Sequence, residues 1–121
     1  MSAKPILHVG AVTIINLIKR LKGNHETIIS IQLGRSGTSI GANIREAQYA
    51  HSKADFISKL QIALKEANET GYWLELLNKT GHIDESEFKQ LDCMCTSIRV
   101  MLISSVNFNT AKEKNAVPPG K

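Results

Sequence analysis

The sequence predicts an all-α protein, an antiparallel up-down-up-down four-helix bundle. Three observations predict it. Apolar residues recur at alternating steps of three and four in successive segments, no stretch alternates with a period of two, and the linkers between segments are short. With aromatics at only 5% of 121 residues, the core must be built from Ile, Leu, Val and Ala, which suits interlocking helices. The length fits one domain able to bury a core without disulfides or metals. The expected organisation is a bundle over residues 1–114, with helices at about 6–22, 25–50, 53–80 and 85–112, and a flexible tail over 115–121.

Helix one follows Pro5, a natural first-turn residue, and stops at Gly23. Lys19, Arg20 and Lys22 fill its last turn, where cations complement the helix dipole. Helix two carries the seam Ile29, Leu33, Ser36, Ile40, Asn43, Ala47 and Ala50. Gly34, Gly37 and Gly41 are poor helix formers, yet the seam runs through them unbroken. That pattern predicts close helix approach rather than a loop.

Helix three opens with Ser52 as cap and Asp55 three residues on, a capping-box-like pair. Its seam is Phe56, Leu60, Ala63, Ala67, Thr70, Leu74 and Leu77, and Gly81 ends it. Asp55 with Lys59 and Glu75 with Lys79 have the spacing of helical ion pairs. Helix four opens with Asp84 as cap and Glu87 at the third position, while Ile83 and Phe88 form a hydrophobic staple. Its seam is Phe88, Leu91, Cys95, Ile98, Leu102 and Ser105.

Little in the sequence carries catalytic chemistry. There is no Walker loop, dinucleotide fingerprint or nucleophile elbow, and Gly34 to Gly41 contains no phosphate-loop lysine. No catalytic residue, metal ligand or cofactor is therefore expected. His8, His25, His51 and His82 lack the one-face spacing of a helical metal site, and neither Glu46 nor Glu69 belongs to the Glu-x-x-His pair of ferritin-like centres. Cys93 and Cys95, two apart on a helix, point to different sides and are expected reduced and half-buried. No signal peptide is visible and no uninterrupted apolar run approaches a membrane span, so the expected compartment is the cytoplasm, with no membrane partner.

Two sets of residues stand out. Arg35, Ser36, Ser39, Asn43, Glu46, Glu66 and Glu69 are expected to form a semi-buried polar network between helices two and three, fixing register at some cost in stability. Lys19, Arg20, Lys22, Lys112 and Lys114 are the cations least balanced by nearby acids. They are candidates for a nucleic-acid surface, with plain helix-terminal cations as the alternative. The formal net charge of +4 is a weak signal in the same direction.

The run 32–77 resembles the bacterial four-helix-bundle proteins first described as products of intervening sequences within 23S ribosomal RNA genes, some of them labelled ribosomal-type proteins. The resemblance rests on Arg35, Ser36, Ser39-Ile40, Asn43-Ile44 and Glu46-Ala47, then Phe56, Leu60, Ile62-Ala63, Glu66, Glu69 and Tyr72-Trp73-Leu74. It is close over helices two and three, whereas helices one and four match only as amphipathic helices of fitting length. It implies an antiparallel bundle assembled as a homopentamer, and motif residues that are architectural. It also implies kinship with the accessory variability determinant of diversity-generating retroelements, which binds nucleic acid and a reverse transcriptase. The expected partners are thus further copies of the chain, with RNA or DNA, or another protein such as a reverse transcriptase. The expected function is a non-enzymatic homo-oligomer that binds nucleic-acid backbone. The alternative is a protein-interaction scaffold without nucleic-acid binding.

Overall fold

A computed structural model describes the backbone of residues 4–115 and the side chains of residues 10–111. It contains α1 (Lys4–Gly23), α2 (Ile28–Gln48), α3 (Lys53–Lys79) and α4 (Glu85–Asn115). Asn115, expected to begin the tail, is helical, and 116–121 lie outside the described residues. α2 packs on α1 and α3, and α4 packs on α3 and, more thinly, on α1. Among the described residues the backbones of α2 and α4 nowhere approach closely, so these helices sit at diagonal corners of the bundle.

The core forms two stacked groups. Ile14, Leu17, Leu21, Leu33, Leu74, Leu77, Ile83, Leu91 and Cys95 fill the end where α1 meets α2. Ile40, Ala47, Leu60, Ala63, Ala67, Ile98 and Leu102 fill the other. α1 is seated on glycines: a Cβ at Gly34 would lie 3.1 Å from Ile18 Cδ1, and one at Gly37 would lie 3.1 Å from Ile14 Cγ2. The isoleucines of α1 thus press against bare α2 backbone. Gly41 does not take part, because nothing lies within 4 Å of where its Cβ would be. It borders a cavity of about 40 Å³ whose lining, apart from Thr70, is apolar.

The α1–α2 corner differs from the expectation. α2 starts at Ile28 rather than His25, and Gly23 is not the residue that turns the chain. His25 takes the left-handed conformation, φ 66°. Its N–H donates to Lys22 O at 3.0 Å, and Glu26 N–H donates to Leu21 O at 2.9 Å. This is a Schellman closure with histidine where glycine is preferred. The α3–α4 corner uses the same closure with the preferred residue. Gly81 at φ 81° donates to Asn78 O at 3.1 Å, and His82 N–H donates to Leu77 O at 2.9 Å.

Glu26 then starts α2 from outside the helix. Its carboxylate accepts the Ile29 N–H at 3.1 Å and the Ser30 N–H at 2.8 Å, and the Ser30 hydroxyl donates to it at 2.8 Å. Both Glu26 and Ser30 are buried. Burial acts to raise the Glu26 carboxyl, but these hydrogen bonds and the nearby His82 outweigh it and hold the group below its ordinary 4.5. The caps of α3 and α4 follow the sequence pattern. Asp55 N–H donates to Ser52 Oγ at 3.1 Å, and Glu87 N–H donates to Asp84 Oδ1 at 2.8 Å. Asp55 in turn accepts from His51 N–H at 3.3 Å instead of pairing with Lys59, which lies 3.9 Å from Glu46. The Glu75–Lys79 pair forms at 3.4 Å.

The two corners give opposite expectations in urea denaturation. His25→Gly raises stability by about 0.5–1 kcal/mol, and Gly81→Ala lowers it by about 1–2 kcal/mol. Glu26 gives a pH test. Its folded pKa is depressed, so its contribution is full above 4.5 and is lost as pH falls through the lower folded value. Glu26→Gln should therefore lower stability at pH 6 and lose less than the native chain on acidification below pH 4.5. Equal acid losses in the two proteins would contradict this.

Candidate functional site

The densest polar grouping lies between α2 and α3. Arg35 reaches across the interface as a fork. Its Nη1 donates to Glu66 Oε2 at 2.8 Å and its Nη2 to Glu69 Oε1 at 2.7 Å. The two carboxylates are three apart on α3 and so lie on one face. Hydrogen bonding from Arg35 is the main cause that holds the Glu69 carboxyl below its ordinary range, against burial. The same bond to Glu69 is the main cause that raises the Arg35 guanidinium. Glu66 is buried, whereas the other two groups face water in part. The fork therefore orients the helices more than it strengthens them.

Behind the fork lies a buried pair of hydroxyls. Thr70 Oγ1 donates to Ser36 Oγ at 2.9 Å, and its own helix's Glu66 O lies 2.9 Å away as well. Thr70 is a seam residue in the sequence pattern and nothing there marked it as a polar partner. A hydroxyl opposite Ser36 in the partner seam was the available signal.

Two expected members of the network, Asn43 and Glu46, make other contacts. Asn43 Nδ2 donates to Ser39 O at 2.9 Å, within its own helix, so neither Asn43 nor the Ser39 carbonyl reaches α3 through this bond. Glu46 is exposed and lies 3.9 Å from Lys59 of α3, so it meets the expected helix but apart from the Arg35 fork. Glu46 lies about three turns beyond Arg35 on the same face of α2, too far along the helix to join the fork at Glu66 and Glu69.

The basic candidates do not form one patch. Arg20 Nη2 donates to Glu87 Oε1 at 2.7 Å, linking the end of α1 to the start of α4. That bond is the main cause raising its guanidinium. Lys19 and Lys22 are exposed and make no ion pair among the described residues. The side chains of Lys112 and Lys114 lie outside the described residues, but their backbone is helical. Lys112 lies twenty-five residues along α4 from Glu87, roughly 38 Å away. The two groups of cations thus sit at opposite ends of one bundle.

Cys93 is exposed and Cys95 buried, not both half-buried as expected. Cys95 Sγ donates to Ala67 O at 3.2 Å, and burial pushes its thiol up, so it is an inert core residue. Among the described residues no three His, Cys, Asp or Glu side chains group closely enough to hold a metal ion.

The model of a family described as 23S rRNA-intervening sequence protein matches residues 8–104. The chain is also similar to a solved structure from Bacteroides thetaiotaomicron VPI-5482, described as a protein of unknown function from the S23 ribosomal protein family. The two are 51% identical with a TM-score of 0.84, over 87% of this chain and 98% of that one. No curated protein matches the sequence.

The hydroxyl pair generates a double-mutant cycle. Thr70→Val leaves the buried Ser36 hydroxyl with only a 3.4 Å approach to Leu33 O, and should cost about 1–3 kcal/mol. Ser36→Ala combined with Thr70→Val should cost less than the two single changes added, because each already removes the shared bond. Additive losses in chemical denaturation would show that the pair does not couple.

Proposed function

The chain belongs to the 23S rRNA-intervening sequence protein family, and from that premise we propose that it is a non-enzymatic, cytoplasmic protein that closes into a homopentameric ring and holds RNA or DNA backbone through basic residues summed over its subunits. The observation that carries this reading is a pair of apolar stripes on helices that face opposite ways. On α2, Ile28 is 80% exposed and Ile31 60%. The outward positions continue at heptad steps through Arg35, Thr38 and Ala42, all exposed. On α4, Val100 is 56% and Ile103 45% exposed, with Phe108 exposed beyond them.

Monomeric proteins rarely leave large aliphatic groups grouped in water. Because α2 and α4 are diagonal, their outward stripes point away from each other. A head-to-tail ring needs two different faces of this kind, whereas a two-fold dimer uses one face twice and leaves the other wet. α4 supports the same reading. Over Glu85–Ala111 it matches a membrane span by length and composition, which a count of uninterrupted apolar residues does not register. Its Leu91, Ile98 and Leu102 are in the bundle core. A neighbouring subunit accounts for the apolar residues on its outer side.

Assembly also multiplies charge. One chain carries +4, and five copies of +4 carry +20. Arg20 and Arg35 are engaged with acids, so the exposed Lys19 and Lys22 are the stronger contributors among the described candidates. Phosphate contacts of this kind are sequence-independent and weaken with salt.

The test measures binding of labelled structured RNA and duplex DNA across a salt series, for the native chain and for Ile31→Asp. The native protein should bind with a salt slope steeper than one subunit's few cations allow. Ile31→Asp should keep its helical circular dichroism, dissociate, and bind more weakly with a shallower slope. Absence of binding at low salt would replace this reading with a protein-interaction scaffold. An Ile31→Asp protein that stays assembled would remove the α2 stripe from the interface.

A further inference from the structure

The outward stripe of α2 changes character along its length. It is aliphatic at Ile28 and Ile31 and ends in Arg45 and Tyr49. There it meets the first turns of α3 and borders an open cleft of about 610 Å³, lined also by Glu46, His51, Asp55 and Lys59. The volume lies within the usual range of small-molecule sites. Tyr49 is 76% exposed, and among the described residues no other ring pairs with it. Arg45 is four residues before Tyr49, on the same side of the helix. It makes no ion pair among the described residues.

The two acids of the cleft are not equal. Asp55 is committed to the turn, accepting from His51 N–H at 3.3 Å. Glu46 lies 3.9 Å from Lys59, the outer limit of an ion pair, so Lys59 is only loosely held. What the cleft offers a ligand is an uncovered aromatic face, one guanidinium and one ammonium, on an open and shallow surface. An unpaired nucleotide matches that set: its base presents a flat π-face to a tyrosine, and its phosphates take the cations. A base inside a duplex is stacked on its neighbours and presents no free face.

We propose that this cleft is a subsite for an unpaired nucleotide within a single-stranded nucleic acid, with Tyr49 stacking on the base and Arg45 and Lys59 holding the flanking phosphates. The proposal rests on the nucleic-acid reading above and adds a place and a strand preference to it. It uses none of Lys19, Arg20 and Lys22.

The test uses the full chain, a labelled short oligouridylate and a labelled duplex of the same length, at low salt. The native protein should bind the single strand. Tyr49→Ala should weaken that binding by about tenfold and leave duplex binding unchanged, while Tyr49→Phe should retain it. Arg45→Ala should weaken both. Tyr49 is exposed and Arg45 unpaired, so circular dichroism and oligomeric mass should match the native chain in all three variants. If the native chain binds and Tyr49→Ala binds the single strand equally well, the subsite is overturned and the broader reading stands. If the native chain binds neither nucleic acid, both are overturned together, and the cleft is left for a protein partner.

Discussion

The hydroxyl of Thr70 meets that of Ser36 in the buried middle of the α2–α3 interface, and the placement of the other helices follows from that register. Shifting α3 by one turn would bring apolar seam residues opposite each hydroxyl and leave both without a partner on the facing helix. Apolar packing alone discriminates less sharply wherever the exchanged side chains match in volume, as Leu and Ile do. With the register set, Arg35 lands between Glu66 and Glu69. Ala67 presents its carbonyl to Cys95 of α4. On the other flank of α2, Gly34 and Gly37 receive Ile18 and Ile14 of α1. The polar pair therefore adds specificity to a bundle whose stability comes from the aliphatic core.

The same arrangement leaves aliphatic residues of α2 and α4 exposed, as it does Val12 and Ile15 of α1. The inward positions of α2 are taken up by α1 and α3, so among the described residues Ile28 and Ile31 have nothing to bury against. Fully burying an isoleucine is favourable by about 1.5–3 kcal/mol. A few such residues on each of two faces, repeated around a closed ring, outweigh the entropy lost on association more readily than a single contact does. In the proposed function the aliphatic end of the α2 stripe serves a neighbouring subunit and the aromatic–basic end a ligand.

The fold was legible because apolar residues recur with helical spacing and the caps have side chains that name themselves. Ser52 and Asp84 begin α3 and α4 as their chemistry requires. The start of α2 was not legible, because a buried glutamate did the capping and a histidine took the left-handed turn beside an available Gly23. Pattern rules assign both jobs to other residue types. In the candidate site, Arg35, Glu66 and Glu69 could be placed from spacing, since charged residues flanking two facing seams find each other. Asn43 could not, because an amide half-buried in a helix can bond its own preceding carbonyl as easily as a neighbour's side chain. The split of the basic residues between two ends follows from chain direction, which composition does not reveal.

Light-scattering mass of the purified native chain at micromolar concentration tests the assembly most directly. Five copies of 13.3 kDa, about 67 kDa, held over a tenfold dilution, is the predicted result. A mass of 13.3 kDa throughout would contradict it, and the exposed stripes of α2 and α4 would then need a different partner.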